Sequence, residues 1–341
     1  MKPGAEPMAR VWSTGMTYSW LSTVRTRRMA PTERGGDGAG GVAGRPAMRH
    51  VPVMPEEVLS DLALKPGGIA VDATLGLGGH ALRMIDAIRP GGVLVGLDLD
   101  TEMLQTARDR IGKPDDIRVE LHHQDFRDLR ELLQRLGYRA DGILFDLGLN
   151  TAQVLSPERG FSFLEEGPLD MRMDRSRGEP AAALLGKMTP AQIERVLRDY
   201  GDERWARAIA KRIVETRKQR PLKTTRDLVE CVLAAIPPKA RERRIHPATR
   251  TFQAIRILVN GELEGLDLAL EDAAGCLAPS GTLAVLSYHS GEDRIVKTAF
   301  RKLAQTGFIE LHRKPLEPGE EEVARNPRSR SAKLRSLRRT S

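Results

Sequence analysis

A chain of 341 residues with 40% hydrophobic and 29% charged side chains describes a soluble globular protein, long enough for roughly two domains. No apolar run approaches the ~18 residues that a helix needs to cross a bilayer, so a membrane partner is not expected. The net charge of +8 is uneven: residues 51–150 hold 11 Lys/Arg against 17 Asp/Glu, whereas residues 151–250 hold 21 against 14 and residues 301–341 hold 11 against 5. That polarity points to a polyanion held beside an acidic pocket.

In chain order, residues 1–48 carry no periodicity and include Gly35-Gly36-Asp37-Gly38-Ala39-Gly40-Gly41, the pattern of a disordered extension. Arg25, Arg27 and Arg28 in a Ser/Thr-rich stretch resemble an organelle transit peptide. Met8, Met16, Met29 and Met48 fit equally with a start assigned too far upstream. From residue 50, strands over 69–74, 93–98, 117–122 and 141–147 alternate with helices over 55–63, 79–89, 101–111 and 128–136. This β-α alternation predicts a Rossmann-like, doubly wound, mostly parallel sheet. The alternation stops across 155–245, where helices near 190–199, 203–218 and 225–235 predict an all-helical insertion. A helical stretch from Ala248 breaks at Asn260-Gly261 and ends near Leu277, and a last strand covers 281–288. The expected organisation is therefore a sheet domain over 49–154 and 246–341, interrupted by the insertion.

Val71-Asp72-Ala73-Thr74-Leu75-Gly76-Leu77-Gly78-Gly79-His80 reads as a strand, a glycine turn and a helix start, and Asp98 ends the next strand. Together they make a nucleoside-cofactor pocket, the turn admitting the ligand and the carboxylate accepting from ribose hydroxyls. Gly76, Gly78 and Ala81 also satisfy a dinucleotide fingerprint, but Asp72 beside the turn would repel a pyrophosphate. It suits a cation, and S-adenosylmethionine carries sulfonium and ammonium charges. Ligands open from the carboxyl ends of parallel strands, which selects Asp72, Asp98, Asp125-Phe126, Asp146 and Ser287 to Ser290. Asp125 and Phe126 would suit an adenine. Cys231 and Cys276 read as buried thiols of a reducing compartment, in keeping with a cytoplasmic protein. No Cys/His cluster has metal-ligand spacing, so no metal is expected.

With these neighbours in view, the chain resembles the ribosomal RNA small subunit methyltransferase H family, the MraW-type cytosine-N(4) methyltransferases. The matching runs are His50-Val51-Pro52-Val53, Asp72-Ala73-Thr74, Gly78-Gly79-His80, Asp146-Leu147-Gly148 and Pro157-Glu158-Arg159-Gly160-Phe161-Ser162-Phe163. The most distinctive is Gly167-Pro168-Leu169-Asp170-Met171-Arg172-Met173-Asp174. His246-Pro247-Ala248-Thr249-Arg250-Thr251-Phe252-Gln253, Ser287-Tyr288-His289-Ser290 and Asn326 to Arg335 follow. The resemblance implies a class I methyltransferase fold and methyl transfer from S-adenosylmethionine to a cytosine amine in the decoding region of small-subunit ribosomal RNA. It implies a donor site of Gly78, Gly79, His80, Asp98, Phe126, Asp146 and Gln153. Asn150-Thr151 stand where the family usually has two serines, and Gly291 where it usually has leucine.

Asp146 is the expected group to orient the amine or accept its proton. Arg250, Ser287, His289 and Arg294 are candidates to grip the flipped base or its phosphate. The tail residues Arg325, Arg328, Arg330, Lys333, Arg335, Arg338 and Arg339 are expected, with the basic insertion, to contact phosphates of the RNA or small subunit. Trp205 and the apolar insertion helices are compatible with a homodimer. Competing readings are another RNA base as acceptor, a non-catalytic ribosome-assembly factor, and a nicotinamide oxidoreductase, which Asp72 disfavours.

Overall fold

A computed structural model describes residues 51–242 and 245–340; the expected N-terminal extension lies outside them. Helix α1 (Pro55–Leu62) leads into the repeating unit β1 (Ile69–Asp72), α2 (Gly79–Ile88), β2 (Val93–Asp98), α3 (Thr101–Ile111), β3 (Arg118–His123), α4 (Leu129–Leu136) and β4 (Ala140–Asp146). The helical segment follows: α5 (Thr151–Leu155), α6 (Ala181–Lys187), α7 (Pro190–Gly201), α8 (Ala206–Gln219) and α9 (Thr225–Ala235). The chain returns through α10 (Thr249–Asn260) and α11 (Leu266–Gly275) to β5 (Leu277–Ser287). It closes with α12 (Ser290–Leu303), β6 (Phe308–Glu310), α13 (Glu320–Arg325) and β7 (Lys333–Arg339).

The seven strands lie in the order β3-β2-β1-β4-β5-β7-β6. β1 to β5 run parallel, and β7 is inserted antiparallel between β5 and β6. Side chains alternate across a strand, and β1, β2, β4 and the second half of β5 are apolar at both parities. Val71, Val95, Ile143, Phe145, Leu283 and Val285 pack on one face with α4, α11 and α12. Ala70, Leu94, Leu144, Ala284 and Leu286 pack on the other with α1, α2 and α3. Burial on both faces is why these strands are continuous apolar runs.

A third core belongs to the helical segment, where Ile193, Leu197, Ile209, Ile213, Leu228 and Val232 meet Phe252, Ala254 and Ile255 of α10. Helix α10 therefore fastens the helical segment to the sheet. Gly160 and Gly167 explain the long run between them: a Cβ on Gly167 would sit 1.8 Å from the carbonyl oxygen of Pro157, so only glycine lets these two loop segments touch. Arg159, 2% exposed, then crosses from the loop to Asp100 at 2.5 Å and to the carbonyls of Arg172 and Met173.

The second half of the basic tail is β7, and its cations are engaged within the sheet domain: Arg335 donates to Asp293 at 2.7 Å, and Lys333 pairs with the same carboxylate. Arg338 reaches Thr282 and the carbonyl of Asp61, and Arg339 reaches the carbonyl of Leu277. The two ends of the described chain also meet, since Glu322 accepts the Met54 N–H at 2.7 Å.

Candidate active site

The strand order reverses between β1 and β4, and a crevice opens there at the carboxyl ends, as this topology requires. Its wall includes Asp72, the turn 74–77, Gly79, His80, Asp98, Phe126, Asp146, Gln153, Gln253, Tyr288, His289 and Arg328. The turn is fixed from behind. Asp98 accepts the N–H of Gly76 at 2.7 Å and of Asp100 at 2.7 Å, and Arg110 holds the Leu77 carbonyl at 2.6 Å. Gly78 adopts φ +73° and caps α2, but does not line the crevice; a Cβ there would press on Ala107 and Ile111 of α3. Its absence of a side chain serves the turn and helix packing.

Three carboxylates face inward. Burial, reinforced by the charges of Asp146 and Asp98, raises Asp72 to about 8. Burial likewise raises Asp98 to about 6 and Asp146 to about 7. Crowded carboxylates in low dielectric resist ionisation until a cation arrives. Asp146 is held from two sides: its backbone N–H donates to Thr74 Oγ1 at 2.6 Å, and Tyr288 donates its hydroxyl to Oδ1 at 2.6 Å. His80 Nε2 lies 3.7 Å from Oδ2. Phe126 stands edge-on to Phe145 with centroids 5.5 Å apart, with the Arg127 guanidinium over its ring. Asp125 is turned away: it pairs with Arg127 and is absent from the crevice wall. That removes it as the expected adenine acceptor.

Gln153 is 4% exposed, donates to Asp100 at 2.9 Å, and closes a capping box with Asn150. It steadies the start of α3 from its place on the crevice wall. Of the four residues expected to grip the acceptor, only His289 lines the crevice. Arg250 lies in a separate depression of the helical segment and pairs with Glu242 at 2.8 Å. Ser287 is buried at the junction of β5 and β7, its hydroxyl toward the Lys333 carbonyl at 3.4 Å. Arg294 lies one turn into α12, off the wall.

The structure adds residues that strand-end reasoning does not reach. Helix α10 presents Gln253, Arg256 and Asn260 to the crevice, at the i, i+3, i+7 spacing of one helical face. Arg256 makes a buried two-pronged ion pair with Glu262 at 2.8 and 2.6 Å. Asn260 accepts from Met173 N and donates to Met171 O. Gln253, 2% exposed, has neither amide atom hydrogen-bonded among the described residues. An unmet buried polar group costs about 1–3 kcal/mol. Arg328 also lines the crevice with one Nη unpartnered, and burial lowers its pKa.

A doubly wound sheet with an antiparallel β7, opening an acidic crevice at its switch point, is the architecture of the class I methyltransferases. Comparison with known proteins narrows this. The model of the MraW methylase family matches residues 47–340. Curated relatives called ribosomal RNA small subunit methyltransferase H include one from Geobacter sp. (strain M21), 45% identical, covering 84% of this chain and 97% of the relative. Another, from Syntrophotalea carbinolica, is 46% identical and covers 86% and 99%. Among solved structures, an rRNA methylase from Streptococcus thermophilus aligns with a TM-score of 0.39 at 13% identity, covering 88% of this chain and 100% of that one. The chain belongs to the MraW methylase family.

Proposed function

We propose that this protein transfers a methyl group from S-adenosylmethionine to the N(4) amine of a cytosine in the decoding region of small-subunit ribosomal RNA. The supporting observation is the Asp146 carboxylate, fixed by Tyr288 at 2.6 Å on an acidic wall at the end of β4. The donor supplies an electrophilic methyl on a positively charged sulfur. Asp98 would accept from the ribose hydroxyls, Phe126 would flank the adenine, and Asp72 would face the cationic end.

A cytosine amine is a weak nucleophile because its lone pair is delocalised into the ring, so alignment of nitrogen, carbon and sulfur carries most of the acceleration. As the N–C bond forms and the C–S bond breaks, the electron pair stays on sulfur and the nitrogen becomes cationic. Asp146 accepts the proton that nitrogen must lose. Burial places Asp146 at about 7, near the working pH where proton acceptance is most effective. The tyrosine hydroxyl holds one carboxylate oxygen and leaves the other for the amine. The base must leave its stack to enter. Arg207, Lys211 and Lys218 on the exposed side of α8 would then hold flanking phosphates.

The test is methylation of small subunits from cells lacking this protein, followed by nucleoside mass spectrometry. N(4)-methylcytidine at one decoding-region position is expected with wild type and a trace with Asp146→Asn. A methyl group on another base would overturn the reading.

A further inference from the structure

Every polar side chain that α10 turns toward the crevice has its partners except one. Arg256 is held by Glu262, and Asn260 bridges the backbone of Met171 and Met173. Gln253, two turns before Asn260 on the same wall, is 2% exposed with both Oε1 and Nε2 unpartnered. Buried amides are kept in folded proteins when something satisfies them. Apolar side chains would fill that position more stably if packing were its only purpose.

The placement of α10 says which ligand comes there. Asp98 and Phe126 stand at the ends of β2 and β3, on one side of the switch point. Among the described residues, helix α10 touches that side only at its C-cap, where the Gly261 carbonyl accepts from Arg127; Arg256, one turn after Gln253, faces the β5 end instead. Arg256 acts electrostatically on Glu292, which accepts the N–H groups of Tyr288 and His289. Tyr288 in turn holds Asp146. Gln253 therefore belongs to the wall of the acceptor, not of the donor nucleoside.

We propose that Gln253 reads the hydrogen-bonding edge of the acceptor base. Its Oε1 accepts one amine hydrogen, and its Nε2–H donates to the adjacent ring nitrogen. The proposal rests on the cytosine reading above. A cytosine edge offers an amine donor beside an unprotonated ring nitrogen, and a carboxamide matches that pair with two bonds, as glutamine matches adenine in nucleic-acid recognition. With Gln253 on one amine hydrogen and Asp146 on the other, the nitrogen lone pair is left perpendicular to the ring, facing the methyl group. A base offering a carbonyl and a protonated ring nitrogen would demand the reversed amide.

The full-length chain carrying Gln253→Leu or Gln253→Glu tests this on unmethylated small subunits. Expected for Gln253→Leu are a fall in kcat/KM of about 100-fold, the scale of a misplaced reactant, an unchanged Kd for S-adenosylmethionine by calorimetry, and a melting temperature no lower than wild type. Gln253→Glu keeps the acceptor and loses the donor until its carboxyl protonates. Its activity relative to wild type should therefore rise as pH falls from 8 to 6, a change that a purely structural glutamine would not produce. Undiminished activity of both variants, a flat ratio with pH, or a donor Kd weakened in step with activity would each overturn the assignment. Nucleoside analysis of the wild-type product separates the two readings. N(4)-methylcytidine made equally well by Gln253→Leu sinks Gln253 alone, whereas a different methylated base sinks the cytosine reading and the assignment with it.

Discussion

The two walls of the crevice are built on different principles. The sheet wall carries Asp72, Asp98 and Asp146 on strands that the core already fixes, so its chemistry is set by three backbone termini. The helical wall carries Gln253, Arg256 and Asn260 on α10, whose position depends on the third core, in the helical segment. One wall is preorganised by the fold. The other is assembled by docking, and substitutions on the two should fail in different ways.

The largest separation is expected at Asp146. Asp146→Asn keeps the shape and the Tyr288 contact but removes the proton acceptor, and kcat should fall about 1,000-fold, within the usual span for acid–base groups. Thermal unfolding should be little altered. On the opposite wall, Glu262→Gln leaves Arg256 buried without its anion. Breaking such a pair costs about 3–5 kcal/mol, so the melting temperature should drop while the donor Kd of the folded fraction holds. If donor binding collapsed instead, the two walls would be one cooperative unit.

Donor affinity should next depend on pH through the sheet wall alone. The raised values of Asp72, Asp98 and Asp146, about 8, 6 and 7, mean that the crevice holds protons that a bound cation would expel. Binding should strengthen between pH 5.5 and 8.5 and release protons, measurable by calorimetry in buffers of different ionisation enthalpy. Stability without ligand runs the other way. Carboxylates whose folded values lie above 3.8 bind more protons folded than unfolded, so stability should fall as pH rises from about 4 to 8. An opposite slope would mean these groups ionise freely.

The smallest effect contrasts two basic segments. Arg207→Glu with Lys218→Glu on α8 should weaken RNA binding by about tenfold and flatten its salt dependence. Arg335→Met should leave RNA binding alone and show itself in stability, since its guanidinium faces Asp293. Equal effects on RNA binding would erase the distinction between surface and sheet cations.

These contrasts track what the sequence discloses. β1, β2, β4 and the turn at 74–79 are visible because parallel strands buried on both faces read as apolar runs, and because aspartate at each of these strand ends breaks the run abruptly. β7 is hidden because Lys333-Leu334-Arg335-Ser336-Leu337-Arg338-Arg339 looks like a solvated tail. Its hydrogen-bonding partners, Asp293 and Thr282, lie 42 and 56 residues away from Arg335 and Arg338. Arg250 is masked over a shorter span, its charge meeting Glu242 eight residues before it. Gln253 falls inside a run singled out for its family resemblance, but nothing local distinguishes a glutamine facing a crevice from one facing solvent.

The late position of β7 has a consequence for the order in which the site is built. Asn326 and Arg328 border the crevice together with Val51 and Val53, and β7 supplies the antiparallel neighbour of β5, the strand leading to Tyr288. During synthesis Asp72, Asp98 and Asp146 of the acidic floor are made well before residues 326–339, which supply part of its rim and the support behind Tyr288. A nascent polypeptide halted before residue 333 would carry every carboxylate of the site while β5, the strand leading to Tyr288, lacked its antiparallel neighbour.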